Sequence, residues 1–100
     1  MAKRFSVRIT ASAQADLSTI WDYISQNNPA NAAEFICEIE KRALSLSLFP
    51  ERNPVIPEAE LLHTSDYRHL VYKKHRIVYR IHNKIVYILR IFHGSKLLEL

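Results

Sequence analysis

Residues 75–93 read HRIVYRIHNKIVYILRIFH, and the reading of this stretch decides the fold. Two apolar, β-branched runs flank Asn83-Lys84, a short polar join of the kind that links antiparallel strands. Arg76, Arg80, Arg90, His82 and His93 are nonetheless threaded through both runs. Strands that only filled a core would carry no such charge. A two-residue turn at Asn83-Lys84 pairs His82 with Ile85, Arg80 with Tyr87, Val78 with Leu89 and Arg76 with Ile91. Alternation then predicts one face of Ile77, Tyr79, Ile81, Val86, Ile88 and Phe92, with Arg90 near its edge. The opposite face collects Arg76, Val78, Arg80, Tyr87, Leu89, Ile91 and His93. On it Arg76 and His93 become diagonal neighbours, roughly 7–8 Å apart. A face that mixes aliphatic side chains with arginine, tyrosine and histidine reads as a shallow binding site. Its arginines can fork carboxylates or phosphates, and its histidine can titrate near neutrality.

Working outward, YRHLVY (67–72) precedes this hairpin across another short join, Lys73-Lys74, and reads as a third antiparallel strand. Near the N-terminus, Phe5, Val7 and Ile9 alternate with Ser6 and Arg8, which predicts a short first strand. Thr10 or Ser12 can cap a helix running to about Gln26, with Ala13, Leu17, Ile20 and Ile24 as its apolar stripe and Trp21 beside it. Asn28 caps a second helix and Pro29 suits its first position. The stripe Ala32, Phe35, Ile36, Ile39, Ala43 and Leu46 carries that helix toward Phe49 and Pro50. Residues 51–66, with Pro54 and Pro57, read as a loop with a brief strand around Val55. The expected architecture is a single α+β domain over residues 1–100. Its order is β-α-α-β-β-β, an antiparallel sheet packed on one face by an α-helical hairpin.

Composition narrows the function classes. The chain is 48% hydrophobic and 24% charged, so it should fold rather than stay disordered. A single glycine, Gly94, excludes glycine-rich phosphate loops and the nucleotide cofactors bound by them. One cysteine, Cys37, excludes an internal disulfide and reads as a helix residue near the core. His63, His69, His75 and His82 lack ligand-like spacing, so neither a metal site nor a cofactor is expected. No apolar run is long enough to span a bilayer and the N-terminus lacks a signal-peptide core, so the expected compartment is the cytoplasm. The net charge of +4 is unevenly spread. Residues 1–66 hold six Lys/Arg and nine Asp/Glu, whereas residues 67–98 hold eight Lys/Arg, four histidines and no acid. That asymmetry favours an acidic or polyanionic partner for the C-terminal segment.

The order of elements, together with ADLSTIWDYI, PVIPE, YRHLVY, HRIVYRI and ILRIFHGSK, resembles the RelE/ParE superfamily of toxins from bacterial type II toxin–antitoxin modules. The resemblance runs from Phe5 to Lys96. It implies the small α+β toxin fold, a growth-arresting activity and a cognate antitoxin whose acidic amphipathic tail covers the toxin in a hetero-oligomeric complex. Two activities occur in the superfamily. ParE-like members inhibit DNA gyrase, and the opening helix, the two long helices and ILRIFHGSK are closer to these chains. RelE-like and YoeB-like members cut mRNA in the ribosomal A site without a metal. For that alternative the resemblance makes Glu58 the base, Arg76 the stabiliser of the phosphorane charge and His93 the acid. The sequence departs from the YoeB pattern at Gly94, where a tyrosine is usual. Contact with the target or the antitoxin is assigned to Arg68, Arg76, Arg80, Tyr87, Arg90 and Lys96. A non-catalytic RNA-binding module is a further alternative, for which only Tyr87 lies clearly on the open face.

Overall fold

The computed structural model describes residues 4–59, 61 and 66–94. Strand β1 (Ser6–Ile9) leads into α1 (Ala11–Ser25) and α2 (Pro29–Leu44), and β2 (Tyr67–Tyr72), β3 (His75–His82) and β4 (Ile85–His93) follow. Both helix starts form as their residue types require. The Thr10 hydroxyl accepts from the Ala13 amide, and Oδ1 of the Asn28 side chain accepts from the Asn31 amide, with Pro29 at the first helical position. Helix α2 stops at Leu44, two residues before the end of its apolar stripe. A 3₁₀ turn at Ser45–Ser47 continues it and still buries Leu46 completely. Phe49, in the left-handed region at φ 51°, then turns the chain toward the outer loop. Cys37 is exposed on α2, not near the core, because the buried stripe of Ala32, Ile39 and Ala43 passes it by.

The sheet order is β1-β4-β3-β2. The three C-terminal strands pair antiparallel, while β1 pairs parallel with β4. The sheet is therefore mixed rather than antiparallel. The helical hairpin carries the chain away from β1, so β1 meets its partner only after the whole of the loop and two further strands. Both hairpin turns have two residues. Asn83 and Lys84 are both at positive φ, the geometry whose twist matches the flanking strands. The expected strand near Val55 is a single bridge to Arg68.

The core lies between the helices and the inner face of the sheet. Ala13, Leu17, Ile20, Ile39, Ala43 and Leu46 meet Ile77, Tyr79, Val86, Ile88 and Ile91. A second, smaller cluster of Ile56, Val78 and Phe92 lies on the outer face. The presence of Ile91 inside and Phe92 outside reverses the expected faces beyond Leu89. The register explains this. His82↔Ile85 and Arg80↔Tyr87 form as the two-residue turn dictates, but Tyr79↔Ile88 is followed by Val78↔Arg90, so Leu89 is an extra residue in β4. The pairs Val78↔Leu89 and Arg76↔Ile91 are thus replaced by Val78↔Arg90 and Arg76↔Phe92. A β-bulge of this kind shifts every later side chain to the opposite face.

Helix α1 holds the bulge in place. An Asp16 carboxylate oxygen accepts from the Ile91 amide at 2.8 Å and from Arg90 Nε at 2.8 Å, and the other oxygen accepts from Arg90 Nη2 at 3.1 Å. The Thr10 hydroxyl donates to the Ile88 carbonyl at 2.7 Å. We expect Asp16→Ala to destabilise the protein by about 2–3 kcal/mol, read from the urea midpoint, because it orphans an amide and a guanidinium together. A change below about 0.5 kcal/mol would show that the bulge does not depend on this carboxylate.

Candidate functional site

The loop after Phe49 crosses the outer face of the sheet and fixes what can happen there. The Ile56 amide donates to the Tyr67 carbonyl and the His69 amide donates to the Pro54 carbonyl, tying the loop along the edge of β2. Arg68 anchors its start by donating to the carbonyls of Glu51 at 3.1 Å and Asn53 at 2.6 Å. Ile56 sinks into the outer cluster, and the 3₁₀ turn Pro57–Ala59 then sets Glu58 above Arg76.

Glu58 is 3% exposed and Arg76 4%. Their pairing is bidentate: Nη1 donates to Oε1 at 2.9 Å and Nη2 donates to Oε2. The Arg76 guanidinium also lies 4.8 Å from the centre of the Phe92 ring, a cation–π contact that the bulge creates by turning Phe92 outward. Nη1 lies 3.4 Å from Nδ1 of His69, which accepts when its proton is on Nε2. Burial, and then the charge of Arg76, holds the His69 pKa below its ordinary value despite the opposing pull of Glu58, so the ring is neutral at neutral pH. Both carboxylate oxygens of Glu58 are therefore already engaged. Acting as a base would require that pairing to open.

His93 does not join this pair on the outer face. It stands opposite His75 in the register, with ring centres 5.6 Å apart, and His75 in turn lies 5.0 Å from the Phe35 ring of α2. Arg76 and His93 are thus on opposite sides of the pleat, and the expected diagonal contact is not made. Burial, and then the charge of His93, lowers the His75 pKa. At the open end of the strands the two sides meet in a cleft of about 400 Å³, lined among others by Glu58, His69, Lys73, Lys74, His75, Arg76 and His93. Lys73 and Lys74 give the cleft its positive charge, since Arg76 is paired with Glu58 and the His69 and His75 rings are pushed toward neutrality, and two such lysines favour an anion. Gly94 closes the strand end: its amide donates to the Lys74 carbonyl at 2.7 Å, and a Cβ there would lie 3.3 Å from that same oxygen.

The remaining expected contact residues scatter. Arg68 is occupied by the loop carbonyls and Arg90 by Asp16. Arg80 and Tyr87 are cross-strand partners on the outer face, both half-buried, as the alternation requires. Lys96 lies outside the described residues. Residue patterns gave no sign of Asp16, which sits on the helix face nearest β4. His69 and His75 were visible only as histidines without metal spacing, and their roles follow from the loop and from α2.

Comparison with known proteins agrees with this architecture. Residues 7–98 match the family described as ParE toxin of type II toxin–antitoxin system, parDE. A solved chain from the chromosomal ParDE toxin–antitoxin system of P. aeruginosa is 23% identical, with a TM-score of 0.76 over 94% of this chain and 100% of that one. A chain of the RelBE2 toxin–antitoxin complex from Mycobacterium tuberculosis is also 23% identical, with a TM-score of 0.65 over 93% of this chain and 94% of that one. No curated protein matches the sequence significantly. With a family match across nearly its whole length and the mixed-sheet, two-helix fold of its structural neighbours, this chain belongs to the ParE toxin family of type II toxin–antitoxin systems.

Proposed function

We propose that this toxin arrests growth in the cytoplasm by binding DNA gyrase, and that a cognate antitoxin with an acidic amphipathic tail neutralises it. The observation that supports a binding rather than a cutting mechanism is the buried Glu58–Arg76 pair. Metal-free RNA cleavage needs a base with a lone pair turned to the 2′-hydroxyl and a cation turned to the phosphate. Here the two groups neutralise each other beneath the loop, and His93 stands across the pleat beside His75. An inhibitor that works by occupying its target needs only a shaped, charged surface. The antitoxin partner is supported by the family itself and by the toxin–antitoxin complexes in which its structural neighbours are found.

One observation favours a second reading, a ribosome-dependent mRNA endoribonuclease. The cleft at the strand ends gathers Lys73, Lys74, Arg76, His69, His75 and His93, which suits a phosphate backbone, and Glu58 lines the same cleft. In that reading substrate binding would pull Arg76 from Glu58 and leave the carboxylate to act as base and His93 as acid.

Two measurements separate these readings. Purified protein incubated with gyrase and relaxed plasmid should block supercoiling, while primer extension on mRNA from expressing cells should show no codon-phased cuts. Phased cuts together with unimpeded supercoiling would reverse the assignment. The second measurement uses the pair itself. Glu58→Ala should cost about 3–5 kcal/mol of stability by leaving Arg76 buried and uncompensated, whereas Glu58→Gln with Arg76→Met should fold nearly as well as the wild type. Under the gyrase reading the folded double variant keeps supercoiling inhibition within about threefold, a change below 1 kcal/mol. A folded but inactive double variant would point to chemistry at the pair.

A further inference from the structure

The outer face of the sheet is divided in two. The loop at 50–59 covers one half, with Ile56 on Val78 and Phe92 and Glu58 on Arg76. On the other half the register aligns Arg8 of β1 with Tyr87 of β4, Tyr87 with Arg80 of β3, and Arg80 with Tyr67 of β2. Arginine and tyrosine therefore alternate across all four strands. Strands about 4.8 Å apart make this row about 14 Å long. Arg8 is exposed and the other three are half-buried. Tyr67 packs against the Ile56 cluster, which fixes that end of the row to the covered half.

The row has unused hydrogen-bonding capacity. Arg80 Nε is buried and donates to nothing among the described residues. Arg42, Arg76 and Arg90 each have a carboxylate, but no carboxylate of the described residues pairs with Arg8 or Arg80. A guanidinium takes a carboxylate in forked geometry, and one with no carboxylate of its own offers that fork to a partner. Tyrosine and arginine are also the side chains that most often dominate interface energetics.

We propose that this row is the docking strip for an acidic amphipathic helix of a partner protein, laid across the strands. Alternate strands put Arg8 and Arg80 about 9.6 Å apart. Positions i and i+7 of an α-helix lie on one face about 10.5 Å apart, so two acidic residues at that spacing reach both arginines. The apolar residues between them rest on Tyr87, and the next turn rests on Tyr67. A single-stranded nucleic acid fits less well: the two rings are about 10 Å apart, whereas stacked bases follow at about 3.4 Å. The proposal rests on the antitoxin half of the reading above and specifies its contact. It moves that contact away from Arg76, whose guanidinium is taken by Glu58.

The test is a titration of the ¹⁵N-labelled full chain, observing the arginine Nε–H signals. The probe is a helical peptide with glutamates at i and i+7 and leucines at i+3 and i+4. A glutamine version of that peptide and an oligothymidylate serve as comparisons. The Arg80 Nε–H signal should move and saturate with the glutamate probe alone. Arg80→Glu should weaken binding at least about tenfold and Arg8→Glu by about threefold or more, while Lys41→Glu on the exposed side of α2 should change nothing. Arg80→Gln, which removes the charge with less risk to folding, should act in the same direction. An unmoved Arg80 signal, equal binding to the Arg80 variants, or a response to oligothymidylate instead of the peptide would overturn the proposal. Supercoiling inhibition measured on the same samples reports on the target independently, so loss of one reading leaves the other standing or falling by itself.

Discussion

The carboxylate of Asp16 accepts from the Ile91 amide and from the Arg90 guanidinium, and through these bonds helix α1 holds one surplus residue, Leu89, in strand β4. Everything beyond that point depends on it. Ile91 turns inward to complete the core with Ile77, and Phe92 turns outward to sit under Arg76 and beside Ile56. His93 is carried to the inner side, where it meets His75 below Phe35. Remove the extra residue and each of these side chains changes sides, because the period of a strand is two and a bulge shifts the phase by one. The bulge thus decides which groups can share a site.

The second constraint is the Glu58–Arg76 pair. A buried ion pair stabilises little over an apolar alternative, since the desolvation of both charges offsets most of their attraction. Its effect here is one of position. It holds the Pro57–Ala59 turn against the sheet, with Arg76 stacked on Phe92 and Nη1 close to His69. The outer face is thereby split into a covered half, where charge is neutralised internally, and an open half, where Arg8 and Arg80 have no internal carboxylate among the described residues. The fold by itself does not select a molecular target. In this chain Glu58 and Arg76 are turned to each other rather than to solvent.

The cleft at the strand ends is lined in part by the same pair. Its histidines and arginine converge from β2, β3 and β4 and its lysines from the turn between β2 and β3, and two of the histidines are pushed toward their neutral forms by burial and by neighbouring positive charge. The positive charge that would attract an anion there is that of Lys73 and Lys74, because Arg76 is already paired with Glu58.

The residue patterns alone determined the element order, the Asn28 cap, both short turns and the inner faces of the helices, and narrowed the first helix's cap to Thr10 or Ser12, since each rests on contacts within a few positions of the chain. Thr10, Asn28-Pro29 and Asn83-Lys84 carry their own geometry. They also determined that the last third of the chain is basic. The tertiary structure alone decided the parallel placement of β1 beside β4, the bulge at Leu89 and the burial of Arg76 under Glu58. No local signal marks these. Leu89 is not a glycine, Asp16 lies more than seventy residues from the amide it accepts, and Glu58 reaches Arg76 only because Ile56 anchors the loop in a cluster that the bulge itself creates. Local rules set the strands and helices, but the phase of a strand is settled by whichever distant group satisfies its backbone.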